Sequence, residues 1–215
     1  DKWFTVDRAD MLDWTLAADS YSYSQLTPIE LLNAVAVAAG AILNPDMTDD
    51  VVHVQPRYKT SPWLWDAMED HECDHLIPES FIITESMKDE STDQIERVLV
   101  TGKNEGGVST NVKRTGTAGL VVGTQVVSDL QQDHAVNTEK ARNVFAESGE
   151  QTVTGWRVPL LTPTEAFGLI VPGQIVRVKN EDGTATTGLC LSTSIAVGNL
   201  VDIWQDGSVE LHYYG

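Results

Sequence analysis

Three side chains with ligand chemistry alternate in Asp70-His71-Glu72-Cys73-Asp74-His75, and in an extended segment His71, Cys73 and His75 project from one face. Imidazole and thiolate are good zinc ligands, so the spacing raises a metal site whose fourth ligand must come from elsewhere. His71-Glu72-Cys73-Asp74-His75 has the His-Glu-x-x-His spacing but no predicted helix to set both imidazoles on one side, paired Cys-x-x-Cys is absent, and a solvated polar loop is the alternative reading. The surroundings are acid-rich, with ten carboxylates and one lysine between Asp66 and Asp93. Convergent oxygens from such a tract would hold a hard cation, and two carboxylates about 5–10 Å apart would serve glycoside hydrolysis. Both conditions are spatial, the Asp-x-Asp-x-Asp-Gly loop is absent, and charge runs ordinarily coat a solvated face. There is no Gly-x-Ser-x-Gly or Ser-x-x-Lys, and Cys190 lies between Leu189 and Leu191 in a strand pattern. Gly102 to Gly107 and Gly116 to Gly123 lack the strand, Gly-x-Gly-x-x-Gly and helix order of a dinucleotide site. No catalytic residue and no cofactor is assigned, and His71, Cys73 and His75 stand only as candidate ligands.

The aromatic residues offer binding rather than chemistry. Trp63 and Trp65 sit beside prolines in a region without clear period, which makes them candidate interface residues; Trp3, Trp14, Trp156, Trp204 and the tyrosines share that reading with core packing. The chain has 215 residues with 32 acidic and 14 basic side chains, a formal charge of −18, which repels a phosphate backbone and excludes specific nucleic-acid recognition. The acidity is uneven, since 19 acids and 5 bases precede Glu96. The longest apolar run, Ala34 to Leu43, falls short of the roughly 20 residues of a membrane span. Two cysteines make no disulfide framework. An opening of Asp1-Lys2-Trp3-Phe4, without initiator Met or apolar leader, reads as a piece of a longer product.

The elements that must position these residues are locally marked. Thr27-Pro28-Ile29-Glu30 combines an N-cap, a first-turn proline and a capping-box glutamate, predicting a helix over 28–40 stopped by Gly40. Asn44-Pro45-Asp46 reads as a turn before a strand from Val51 to Gln55, and Ser61 to Glu79 as a loop and linker with one helical turn. Strands follow over 81–85, 95–101 and 108–114, then a helix opened by Asn137 and ended by Gly149. Beyond it strands are predicted over 152–161, 174–179, 186–197, 200–204 and 209–214, with turns at Asn180-Glu181-Asp182-Gly183 and at Gln205-Asp206-Gly207-Ser208, the latter as an Asp-Gly hairpin.

In chain order, Pro28 to Val35 through Ala38-Ala39-Gly40, Val52-His53-Val54-Gln55-Pro56-Arg57-Tyr58 and Pro62-Trp63-Leu64-Trp65 resemble the tail hub proteins of tailed bacteriophages. Val98 to Gly102, Arg114 to Gly119, the helix near 138–148, Gly168 to Gly173 and Thr187-Gly188-Leu189 extend the likeness to about residue 205. The resemblance implies a non-enzymatic virion protein of the baseplate-hub kind at the distal end of the tail. It implies a homotrimeric ring at the tail tip, with tail-tube and fibre or spike proteins as partners. Hub proteins are usually longer, with a further N-terminal barrel. Acidic surface lining such a ring would repel exiting DNA.

The expected fold class is α+β, mostly β: a small helix–strand module over 1–78, then an antiparallel β-barrel-like domain over 79–215 with one packed helix. The alternatives are a peptidoglycan or glycan hydrolase using carboxylates of the acidic tract, and a glycan-binding module using Trp63 and Trp65.

Overall fold

The structure, a computed structural model, describes residues 5–7, 11–46, 49–161, 167–198 and 203–213. Trp3 and Tyr214, named above among the aromatic residues, lie outside them. Elements run in the order β1 (Thr5–Asp7), α1 (Pro28–Ala38), β2 (Ala41–Pro45), β3 (Val51–Pro56), β4 (His75–Pro78), β5 (Thr84–Asp89), β6 (Arg97–Gly102), β7 (Ser109–Lys113) and β8 (Val126–Ser128). They continue with α2 (His134–Ala146), β9 (Glu150–Pro159), β10 (Ile175–Lys179), β11 (Ala185–Val197) and β12 (Ile203–Tyr213). Short 3-10 helices occupy Pro62–Ala67, Asp70–Glu72 and Glu79–Phe81. The protein is α+β and mostly β.

Two compact units interleave along the chain: residues 1–59 with 93–148, and 60–92 with 149–215. Their boundaries fall at 59/60, 92/93 and 148/149, and a division at 78/79 coincides with none of them.

The first unit contains α1, α2 and two three-stranded sheets, in orders β1-β3-β2 and β7-β6-β8. The capping box forms as its residue types require: Glu30 N–H donates to the Thr27 hydroxyl, and Thr27 N–H to the Glu30 carboxylate at 2.8 Å. Gly40 turns the chain directly into β2 at φ +72°, so Ala41–Pro45 is strand where a turn at Asn44-Pro45-Asp46 was expected. The side chain of Asn143 in α2 donates to the Gly40 carbonyl, and a Cβ at Gly40 would lie 2.6 Å from that amide nitrogen.

The second helix begins three residues earlier than Asn137, because the Asp133 carboxylate caps it by accepting from Ala135 N–H at 2.7 Å and Val136 N–H at 3.3 Å. Asn137 is buried instead, donating to the Val108 carbonyl at 2.8 Å and the Thr110 hydroxyl at 3.1 Å. It ties α2 to β6 and β7, whose inward Val98 and Val100 are fully buried.

The second unit is a six-stranded sheet in the order β4-β10-β11-β12-β9-β5, antiparallel except for β4 against β10. Its edge strands are β4 and β5, so the barrel-like region is an open sheet among the described residues. Ile77, Trp156, Val158, Phe167, Val176 and Val209 share the core on one face.

The expected hairpin at Gln205-Asp206-Gly207-Ser208 is absent, since β12 passes straight through it. Register decides this. Asp206 stands opposite Arg157 and accepts both its Nε and Nη2 donors, at 2.7 and 2.8 Å. Buried Gln205 accepts from Ile170 N–H and donates to the Gly168 carbonyl. The chain reverses between Val197 and Ile203, the last pair of the β11–β12 ladder. Asn180 to Gly183 does turn, with Gly183 N–H donating to the Asn180 carbonyl at 3.1 Å.

Candidate functional site

Strand β10 reads Ile175-Val176-Arg177-Val178-Lys179, and its alternation sends Val176 and Val178 into the core and the other three to the opposite face. That face is covered by the segment after Thr60. The Arg177 side chain, 7% exposed, donates to the carbonyls of Trp65 (2.9 Å) and Met68 (2.7 Å), to the Thr187 hydroxyl (2.8 Å) and to Asp70 (3.2 Å). Lys179 pairs with the other oxygen of Asp70. The Trp65 ring meets His212 edge-on at 5.4 Å, its Nε1 donates to the Thr60 carbonyl at 3.0 Å, and His212 pairs with buried Glu210. Residues 60–72 therefore form a strap bound to the sheet, and the expected linker over 61–79 is a packed part of the second unit.

The candidate ligands are not brought together. Asp70–Glu72 is 3-10 helix, which breaks the alternation that an extended segment would give. His71 is exposed and 3.3 Å from Glu69, Cys73 Sγ faces the Glu69 carbonyl at 3.7 Å, and His75 Nε2 bonds Gln174 Oε1 at 2.7 Å. Burial pushes the Cys73 thiol up. Among the described residues no three metal-ligating side chains are grouped to hold an ion. A cleft of about 420 Å³ opens here, lined in part by Asp70, Cys73, Asp74, His75 and Phe167.

Of the candidate interface pair, Trp65 is buried in its own chain and Trp63 is half-buried, while Leu64 between them is exposed. The acidic tract is spread over structural tasks. Asp74 accepts from Ile175 N–H, Glu79 from Glu181 N–H, Glu72 from Glu69 N–H, and Asp89 from Ser91 N–H. Sequence reasoning missed Arg177; the available signal was a lone arginine within an apolar strand run.

Hydrogen bonds from Lys179 and then Arg177 hold the Asp70 carboxyl below its ordinary value of 3.8. A carboxyl depressed in the folded state contributes stability above its unfolded pKa, and that contribution disappears as pH falls through the folded value. Asp70→Asn will therefore lower the urea midpoint at pH 7, and the gap to wild type will close as the pH drops below 3.8. Paired urea titrations from pH 7 to pH 2 check this; a gap independent of pH would remove the ion-pair explanation.

A second surface lies on the first unit. The segment Leu120-Val121-Val122 is exposed yet fixed: Leu120 N–H donates to the Glu96 carboxylate at 2.7 Å, Glu96 and Arg97 N–H to the Val121 carbonyl, and Gly123 N–H to the Arg97 carbonyl. Three consecutive exposed apolar residues are thus held in place by backbone bonds. No helix of the described residues is long and apolar enough to cross a membrane.

No family model matches the sequence, and no curated protein matches it. The fold is shared with solved structures. A tail protein from Neisseria meningitidis MC58 superposes over 96% of this chain and 61% of its own, with a TM-score of 0.61 at 12% identity. The 43 kDa tail protein of prophage MuSo2 from Shewanella oneidensis does so over 96% and 58%, with a TM-score of 0.54 at 14% identity. The chain thus spans about 60% of the length of each.

Proposed function

We propose that this chain is a structural component of a bacteriophage tail tip: a subunit of a homotrimeric hub ring that joins the tail tube to fibre or spike proteins. It acts by assembly, with affinity drawn from apolar surface repeated by symmetry. The observation that carries the reading is the shared fold with two tail proteins along 96% of the chain. The ordered segments that resemble hub proteins support it from the sequence side.

A glycosidase needs a carboxyl whose pKa is raised so that it can donate a proton near neutrality; Glu30, Asp70, Asp89, Asp182 and Asp206 are instead lowered by hydrogen bonds and do not suit that role. The excess negative charge has a use in a ring, because lumen-facing acid repels exiting DNA.

Electron microscopy of particles assembled with an epitope-tagged chain and labelled with gold tests the reading. Gold is expected at the distal end of the tail. Particles without label, or labelled at the head, would overturn it. Peptidoglycan release abolished by substitutions within Asp66 to Asp93 would put a hydrolase in its place.

A further inference from the structure

The β7-β6-β8 sheet has two unlike faces. Register pairs Val98 with Val112 and Val100 with both Thr110 and Val126, and this side meets α2. The opposite side carries Arg97 paired with Lys113 and bridged to Val122, then Leu99 with Asn111, then Thr101 with Ser109 and Val127. Directly paired residues share a face, so Arg97, Lys113, Val122, Leu99 and Val127 form one surface, with Leu120 beside it. Val122 and Val127 are more than half exposed, and Leu120 is 81% exposed. The local charge is reversed from that of the chain: residues 96–123 hold four bases, Arg97, Lys103, Lys113 and Arg114, against Glu96 and Glu105. The face thus combines exposed Val122 and Val127 with the polar Ser109 and Asn111 and a basic end at Arg97 and Lys113, on a protein of formal charge −18.

The complementary surface is on β5, an edge strand of the second unit. Glu85 pairs with Trp156, Met87 with Thr154 and Asp89 with Thr152, which puts Glu85, Met87 and Asp89 in one row. All three are exposed, Met87 by 67%. The row reads acid, apolar, acid, against a face with a basic end and exposed valines.

We propose that the outer face of the β7-β6-β8 sheet docks a second copy of this chain, taking the Glu85–Met87–Asp89 row of that copy's β5. The choice of a second copy rests on the assembly reading above, and the proposal deepens it by naming both faces. Copies this acidic repel one another at long range, so they associate only where local charge is opposite. The basic face and the acidic row supply that opposition, while Leu120, Val122 and Met87 supply apolar burial. The two patches differ, so the contact is heterologous, the kind that builds rings or filaments rather than closed two-fold dimers.

Sedimentation velocity of the full chain over a concentration series tests this, with circular dichroism to verify folding. Wild type associates. Leu120→Asp and Met87→Asp, on opposite partners of the contact, each raise the dissociation constant by about tenfold or more. Arg97→Glu with Lys113→Glu weakens association, as does Glu85→Lys with Asp89→Lys, although the first pair makes the chain more acidic and the second less. The four changes together restore association at an unchanged formal charge of −18. A wild type that stays monomeric throughout, or a quadruple variant as weak as either pair, overturns the proposal. Association untouched by Leu120→Asp and Met87→Asp overturns these faces and leaves the hub reading standing. If Leu120→Asp fails to fold, Met87→Asp decides. Absence of gold from tails, with association intact, removes the hub reading alone.

Discussion

Replacing Trp65 by alanine will destabilise the second unit by about 3–5 kcal/mol, near the upper end of large-to-small core changes. The indole is 2% exposed, packs edge-on against His212, and spends its only donor on the Thr60 carbonyl. Truncation leaves a cavity over β11 and β12, removes that hydrogen bond and opens a path for water to the His212–Glu210 pair. Urea unfolding, followed by hydrogen exchange of the β10 to β12 amides, reads the loss directly in this unit. A change below about 1 kcal/mol would show that the strap is held without its tryptophan.

Arg177→Met will cost about 2–4 kcal/mol by a different route, the loss of hydrogen bonds to buried acceptors. Methionine keeps the apolar stem, so little cavity forms. What disappears is the donor set that satisfies the Trp65 and Met68 carbonyls, the Thr187 hydroxyl and Asp70. Arg177→Lys will lie between, because one ammonium cannot span acceptors that the guanidinium reaches with three separate nitrogens. Both substitutions free the same strap, so the double variant with Trp65→Ala will lose less than the sum of the two, with a coupling of about 0.5–3 kcal/mol. Additive losses would mean that Trp65 and Arg177 hold separate structures.

Elements declared by neighbouring residues were legible. Thr27-Pro28-Ile29-Glu30 carries its own N-terminus, because both capping-box bonds join residues three apart. Asn180 to Gly183 carries its own turn, and the alternation of β7 survives in its exposed and half-buried pattern. Gln205-Asp206-Gly207-Ser208 has the composition of a hairpin and forms a straight strand, because Arg157 lies 49 positions away from the Asp206 it binds. Asn137 has the composition of a cap and is a buried strut, because the acceptors it serves are on β6 and β7.

The candidate sites divide the same way. His71, Cys73 and His75 alternate in sequence, but their geometry depends on whether the segment is extended, and the 3-10 helix at Asp70–Glu72 decides against it. Trp63 and Trp65 look equivalent beside their prolines; burial separates them, since Trp65 is buried against the sheet that Arg177 organises and Trp63 is half-buried.

Composition and local pattern by themselves determined a mostly β chain, strongly acidic, with a capped first helix and the order of its principal strands. Tertiary structure alone decided that residues 60–92 fold with 149–215, that Trp65 is core, and that Leu120, Val121 and Val122 remain outside. The physical reason is range. Caps and tight turns are satisfied within a few residues, whereas a buried guanidinium or a strand register is satisfied by partners tens to a hundred positions away.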